Sequence, residues 1–219
     1  MPIDKAVPFE IAALLGCAVT TGVGAVLNRA KVARGDTVAV IGAGGVGLSI
    51  IIGAKLAGAG RIIAIDAAPG TEGTARELGP TDFVRAGDNL AAQVMAMTWL
   101  GAHHVFEAVG KRELQPTAID CCRPGGQVTF VGLDADLATI DLPTTGITQS
   151  EIIVTGSIFG SACASRDFKA YAQHFLGGKL PIDRLLRRRY RLGQINKAVA
   201  DMLAGKPGRG VILFGDTGQ

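Results

Sequence analysis

The sequence predicts an α/β fold: a doubly wound parallel sheet, with a helix before it and a helix-and-strand extension after it. Between residues 36 and 133, short β-branched runs alternate with helical stretches of about ten residues. The runs are apolar throughout, as is typical of strands covered on both faces. Small residues dominate, with 31 glycines and only 5% aromatic residues, which favours close packing of helices on a sheet.

The predicted elements follow one another in a regular order. Strands are expected at 37–41, 61–66, 82–84, 104–109, 127–131 and 151–156, and helices at 45–59, 71–78, 90–99 and 113–121. Residues 1–30 form a helix before the first strand, and residues 161–219 add two helices and a final strand at 211–214. Right-handed crossovers between parallel strands leave little freedom in the topology.

Composition and charge exclude several classes of protein. A formal charge of +3 is too small to indicate nucleic acid or an acidic membrane surface as a partner. Four cysteines do not make a disulfide framework, so we expect reduced thiols and a cytoplasmic location. The apolar segment 11–27 is interpreted as a buried helix, not a signal peptide, because Glu10 precedes it and two threonines interrupt it. The basic segment 184–191 carries one aromatic residue and is interpreted as a solvated strand-and-loop surface.

A glycine-rich turn directly after the first strand carries the functional prediction. Its sequence is Gly42-Ala43-Gly44-Gly45-Val46-Gly47. In such a turn Gly42 allows the tight bend, Gly44 lets the backbone approach a pyrophosphate, and Gly47 lets helix and strand pack closely. The helix that begins near Gly45 presents unpaired N–H groups and a positive dipole end to the phosphates. The sequence therefore predicts a dinucleotide site here.

An acidic residue at the end of the second strand predicts which dinucleotide binds. Asp66 lies roughly twenty residues after the turn, where a carboxylate accepts hydrogen bonds from the adenosine ribose. It would repel a 2′-phosphate, and nothing basic follows it directly in Ala67, Ala68 and Pro69. NAD is therefore favoured over NADP. Two alternatives remain open: a plain glycine turn in which Asp66 caps a loop, and a methyltransferase that uses the same features for S-adenosylmethionine.

Several segments make the chain resemble the zinc-dependent medium-chain alcohol dehydrogenases, and in particular their class III type. These segments occur in the family's order at 12–22, 44–49, 106–110, 123–126, 131–133, 156–160, 194–196 and 209–211. The resemblance covers the coenzyme-binding and C-terminal part of the family. It implies NAD-dependent oxidation of an alcohol, or reduction of an aldehyde, by hydride transfer. Class III members act on thiol adducts of formaldehyde and on primary alcohols.

The resemblance also implies roles for individual residues at the coenzyme. Thr21 and Val46 would press against the nicotinamide ring, and Phe159 would give backbone contacts to its carboxamide. Arg209 would reach the pyrophosphate. Further coenzyme-binding positions at the strand ends would be Val109, Val131, Gly132 and Leu133.

For zinc, the resemblance implies a site that this chain does not complete. Cys17 would be the third protein ligand of the catalytic zinc, but the family's other two ligands precede the stretch where this chain begins. His103 and His104 are neighbours on a predicted strand and face opposite ways, which argues against a joint site with Cys17. Glu107 is structural in the family pattern. We therefore expect the chain to bind NAD and not to hold catalytic zinc tightly.

The resemblance further implies a division of the chain and a partner. Residues 1–18 are expected to be a remnant of the catalytic domain, 19–158 the NAD-binding Rossmann domain, and 159–219 an extension that packs on the catalytic domain. Without that domain, side chains such as Leu185 and Leu186 would be exposed, which predicts association or poor solubility. The sixth strand would pair with its copy in a homodimer, and the substrate would be a small alcohol or aldehyde.

Two other functions remain open. One is a zinc-free quinone or enoyl reductase that uses NADPH, although Cys17 and Asp66 both argue against it. The other is a non-catalytic dinucleotide-binding fragment, which shares the coenzyme motif but turns over no alcohol.

Overall fold

The computed structural model describes residues 2–134 and 139–214. Its main sheet consists of six parallel strands in the order β3-β2-β1-β4-β5-β6. The strands are β1 Thr37–Ile41, β2 Arg61–Asp66, β3 Asp82–Arg85, β4 Ala102–Glu107, β5 Cys122–Phe130 and β6 Ile153–Gly156. The predicted doubly wound α/β fold is confirmed. Neighbouring residues of a strand face opposite sides of the sheet, so Val38 and Val40 join one apolar cluster while Ala39 and Ile41 join another.

Helices cover the sheet and precede it. The N-terminal helix, Phe9–Ala30, contains α1 Phe9–Leu14 and α2 Thr20–Gly24 with π-helical turns at Leu15–Val19 and Ala25–Ala30. The helices around the sheet are α3 Gly45–Ala57, α4 Thr71–Arg76, α5 Leu90–Thr98, α6 Leu114–Asp120 and α7 Thr144–Gln149. The N-terminal helix is long and apolar enough to cross a membrane, but 61% of its most apolar window is buried inside this domain. Core helices of globular domains share that property.

The C-terminal extension forms a second, small sheet. It comprises α8 Ala164–Leu176, β7 Leu186–Arg191, α9 Ile195–Leu203 and β8 Arg209–Leu213, with β7 and β8 paired in parallel. The two predicted helices and the final strand are present. Strand β7 lies within the segment 184–191 that was expected to form strand and loop, whereas helix α7 is an addition to the prediction. Strand β4 begins two residues before the predicted start.

The expectation that Leu185 and Leu186 are exposed is wrong. Leu185 is fully buried and Leu186 is 9% exposed, because the turn before β7 folds Leu185 into the main apolar cluster. Exposed apolar side chains lie elsewhere in the extension, with Met202 and Leu203 on α9 at 68% and 78% exposure. The basic segment 184–191 is solvated only in part: its arginines lie at the surface or are half-buried and several are paired, but Leu185, Leu186 and Tyr190 are buried. Arg189, for example, donates to the Glu10 carboxylate.

Candidate dinucleotide site

The glycine-rich turn lies at the carboxyl end of β1, where the strand order reverses between β1 and β4. In doubly wound sheets, ligands bind in the crevice at this point. Gly42 has φ +99°, a left-handed conformation that favours glycine. A Cβ at Gly47 would overlap the Gly42 carbonyl oxygen, so the first turn of α3 touches the loop directly. A Cβ at Gly44, in contrast, would meet no atom within 4 Å. Gly47 therefore packs against the loop, whereas Gly44 faces open space.

The Asp66 carboxylate is fixed between two loops at the end of β2. Its Oδ2 accepts a hydrogen bond from the Ala43 N–H at 2.6 Å, and its Oδ1 accepts one from the Ala68 N–H at 2.7 Å. The carboxylate thus joins the glycine-rich turn to the loop after β2. Each carboxylate oxygen has a second lone pair, so both can still accept a hydrogen bond from a ribose hydroxyl.

Arg209 reaches the site from the other end of the chain. A Cβ at Gly45 would overlap the Arg209 Cδ and lie 3.0 Å from its Nη1. The Arg209 side chain, carried by β8, therefore lies over the first residue of α3. A cation and a helix N-terminus, both attractive to phosphate, are adjacent here.

The N-terminal helix packs on the same end of α3. A Cβ at Gly22 would lie 2.6 Å from the Val46 carbonyl oxygen, so the backbone beside Thr21 touches the first turn of α3. A Cβ at Gly160 would lie 2.9 Å from the Thr21 carbonyl oxygen, which brings the turn that carries Phe159 to the same place. The structure therefore brings together the segments that carry Thr21, Val46 and Phe159.

The remaining sequence-predicted positions follow the ends of β4 and β5. A Cβ at Gly42 would lie 2.7 Å from the Val109 Cγ2, and one at Gly110 would lie 2.6 Å from the Leu133 nitrogen. Val109 and Leu133 are 42% and 77% exposed, whereas Val131 is only 8% exposed. Val131 thus presents little surface to a ligand, and Gly132 lies against the backbone of Gly110.

Glu107 holds the loop that carries Val109. This glutamate is fully buried, and its Oε1 accepts hydrogen bonds from the Val109 and Gly110 N–H groups, each at 2.8 Å. Burial raises the pKa of the Glu107 carboxyl above its ordinary value. Within 2–134 and 139–214, Glu107 Oε2 has no hydrogen-bond partner.

Comparisons with known proteins identify the family of the chain. The family model described as "Zinc-binding dehydrogenase" matches residues 45–176, well over half of the chain. The chain belongs to the zinc-binding dehydrogenase family. It is 36% identical over 214 residues to an S-(hydroxymethyl)glutathione dehydrogenase from Synechocystis sp., covering 94% of this chain and 56% of the relative. It is 34% identical over 218 residues to Alcohol dehydrogenase-like 7 from Arabidopsis thaliana, covering 97% and 56%.

Solved structures agree with the sequence relatives. Benzyl alcohol dehydrogenase from Acinetobacter calcoaceticus superposes with a TM-score of 0.94 at 27% identity, covering 98% of this chain and 59% of that structure. The chain thus spans a little over half the length of the zinc-binding dehydrogenases it matches. The family expected from the sequence is confirmed.

The part of this zinc-binding dehydrogenase that the structure describes does not contain a complete zinc ligand set. Cys17 is exposed on the N-terminal helix, and the described residues hold no group of three His, Cys, Asp or Glu side chains suited to a metal. His103 and His104 lie at the amino end of β4, the opposite edge of the sheet from the glycine-rich turn. There His103 Nδ1 accepts from the Thr37 N–H, and His104 Nε2 lies 3.0 Å from an Asp36 oxygen. These residues alone do not fit a catalytic zinc.

Sequence reasoning missed one charged residue near Asp66. Arg85, the last residue of β3, is in register with Asp66 across the parallel pair of β2 and β3. Its Nη1 donates to the carbonyl oxygens of Ala67 and Ala68 at 3.2 and 2.8 Å. The signal was available in principle, because in this strand order the end of β3 lies beside the end of β2.

Proposed function

We propose that this chain binds NAD and is the coenzyme-binding portion of an alcohol dehydrogenase that oxidises an alcohol, or reduces an aldehyde, by hydride transfer. Family membership and relatives named as alcohol and S-(hydroxymethyl)glutathione dehydrogenases support the reaction class. Because the chain spans little more than half of those relatives, the activity belongs to the proposal for the whole protein.

One observation carries the proposal: the open space over Gly44 at the N-terminus of a 13-residue helix, next to Gly45, over which Arg209 lies. The first N–H groups of α3 have no acceptors within the helix, and its dipole is positive at this end. A pyrophosphate placed over Gly44 would accept hydrogen bonds from these groups and a charge-assisted pair from Arg209. A side chain at Gly44 would fill the space that the pyrophosphate needs.

Asp66 would orient the adenosine end and select NAD. Its carboxylate is already held by two backbone N–H groups, so little ordering is lost when ribose hydroxyls bind. A negative 2′-phosphate beside this carboxylate would be repelled. At the other end, Thr21 and Val46 would cover one face of the nicotinamide. Bound NAD supplies the hydride acceptor.

Zinc and partners complete the proposal. Cys17 would be one of three protein ligands to a catalytic zinc, with the other two supplied by residues outside this chain. Strand β6 lies at the edge of the sheet, and Ile153 on it is 57% exposed. An edge strand offers unpaired backbone groups, so we propose that β6 pairs with its copy in a homodimer. The cytoplasmic location remains a prediction.

The test is a titration of the purified chain with NADH, NADPH and S-adenosylmethionine, followed by fluorescence or calorimetry. We expect NADH to bind best, and Asp66→Ala to weaken NADH at least about tenfold, because hydrogen bonds to a charged group contribute about 1.5–3 kcal/mol each. Asp120→Ala is the matched control, since it removes an exposed carboxylate at the far end of α6. Unchanged NADH affinity in Asp66→Ala, or no NADH binding by the wild-type chain, would overturn the proposal.

A further inference from the structure

We infer that Arg85 is a second determinant of coenzyme selectivity, a phosphate-binding cation whose effect on a 2′-phosphate is masked by Asp66. The inference rests on the proposed NAD site. The sequence attributes the preference for NAD over NADP to Asp66 at the end of β2 alone, whereas the structure adds Arg85 at the end of the neighbouring strand β3.

The geometry joins the two side chains to a single residue. The Asp66 Oδ1 accepts a hydrogen bond from the Ala68 N–H at 2.7 Å, and the Arg85 Nη1 donates to the Ala68 carbonyl at 2.8 Å. Carboxylate and guanidinium therefore hold opposite ends of the same residue. A ribose that binds Asp66 through its hydroxyls places its 2′-oxygen close to this loop. Any phosphate on that oxygen lies within the reach of a long arginine side chain.

The Arg85 guanidinium has N–H donors that its hydrogen bonds to the protein do not use. A guanidinium carries five N–H donors, and the hydrogen bonds that the structure gives Arg85 all use Nη1. No carboxylate lies within salt-bridge distance of it in 2–134 and 139–214. The side chain is exposed, and its Cζ lies 5.9 Å from the centre of the Phe83 ring, which supports it along the strand.

These facts predict an asymmetric selectivity. With Asp66 present, the carboxylate repels a 2′-phosphate more strongly than the Arg85 guanidinium attracts it, so NADPH binds poorly. Without that charge, the remaining guanidinium donors offer a bidentate partner to the phosphate. Preference for NADPH should then appear after one substitution at Asp66, with no arginine introduced, provided that Arg85 is intact.

The test compares four proteins: the wild-type chain, Asp66→Ser, Arg85→Gln and the double variant. Kd values for NADH and NADPH are measured by fluorescence at low and high salt. We expect Asp66→Ser to bind NADPH at least about tenfold more tightly than the wild-type chain does, because a charge-assisted pair replaces a repulsion. In the double variant the part of this gain that comes from the charge-assisted pair should be lost, and only the part that comes from removal of the Asp66 charge should remain. The NADPH gain should also shrink at high salt, whereas NADH binding should depend less on salt.

Two controls separate charge from loop structure. Arg85→Lys in the Asp66→Ser background keeps a cation and should retain part of the gain, while Arg34→Gln, on the loop before β1, should not alter it. An equal NADPH gain in Asp66→Ser and the double variant overturns the inference and leaves the proposed function intact. The inference is also overturned, and the proposed function again left intact, if Asp66→Ser binds NADPH no more tightly than the wild-type chain does while the wild-type chain binds NADH. No NADH binding by the wild-type chain overturns the proposed function and, with it, this inference.

Discussion

Two glycines of the turn are assigned different roles: Gly47 lets α3 pack on the loop, and Gly44 leaves space for a pyrophosphate. Substituting each of them by alanine tests the two roles separately. In Gly47→Ala the new Cβ would lie 1.6 Å from the Gly42 carbonyl oxygen, whereas real Cβ atoms essentially never come closer than 3.0 Å. Helix and turn would have to separate by about 1.4 Å. Overpacking costs about 1–3 kcal/mol. We expect a cost near the upper end, because the new Cβ is fixed to the helix backbone and the atom it contacts is a backbone carbonyl oxygen, so no rotamer change relieves the overlap.

The net effect is smaller, because alanine is a better helix former than glycine by about 1 kcal/mol. We therefore expect Gly47→Ala to lower the free energy of unfolding by about 2 kcal/mol. For a domain of this size that corresponds to about 4–8 °C in Tm. Gly44→Ala meets no atom within 4 Å, and its φ of −76° suits alanine, so only the helix-cap preference is lost. That loss is about 1 kcal/mol or less.

Thermal and urea unfolding followed by circular dichroism measure both effects, and NADH titration measures coenzyme affinity. Gly44→Ala should stay folded yet bind NADH more than about tenfold less tightly, because its methyl group fills the pyrophosphate space. A Gly47→Ala protein as stable as the wild-type chain would refute the packing argument. A Gly44→Ala protein with unchanged NADH affinity would refute the assignment of the open space to the pyrophosphate.

Three further predictions concern pH, surface and metal. Burial raises the pKa of Glu107, so the folded chain binds more protons than the unfolded one, and stability should fall as pH rises above the ordinary value of 4.5. Urea unfolding of Glu107→Gln should show a weaker loss of stability as pH rises above 4.5, and an unaltered slope would contradict this. Met202→Lys and Leu203→Lys should each reduce self-association, measured by light scattering, and the binding of a hydrophobic dye, because both side chains are exposed. A wild-type chain that is a monodisperse monomer and binds no dye would contradict this prediction. The purified chain should retain less than one zinc per molecule after dialysis against a chelator, because its described residues do not form a complete zinc ligand set. Cys17→Ser should retain no less zinc than the wild-type chain. One tightly held zinc per molecule would refute the claim that the ligand set is incomplete.

The sheet was predictable because its signal is local. Strands covered on both faces are continuous apolar runs, so the bounds of β1 and β2 coincide with the prediction. The start of β4 was displaced because Ala102 and His103 lack that pattern; a register shift there brings Ala102 opposite Cys122. Helix α7 is only six residues long and lacks an apolar period, and its Ile147 packs on the sheet only through tertiary contacts.

Features that depend on distant pairing were missed. Leu185 stands next to arginines in the sequence, and it is buried because the turn before β7 packs into the main apolar cluster, whose other members lie far away along the chain. The glycine-rich turn and Asp66 were found because each lies directly after a strand. Arg85 was missed because its proximity to Asp66 arises from strand order, which a reading along the chain does not display.

Under the proposed function, the position of Arg209 over Gly45 has a consequence for when coenzyme can stabilise the chain during synthesis. The helix start emerges from the ribosome long before the arginine that covers it. Until β8 has been made, a nascent chain has only part of the proposed phosphate-binding surface. Nucleotide can stabilise only a conformation that it binds, so the early growth of the sheet must depend on its own apolar core. Coenzyme would then act late, as a selective stabiliser of chains in which β8 has already formed.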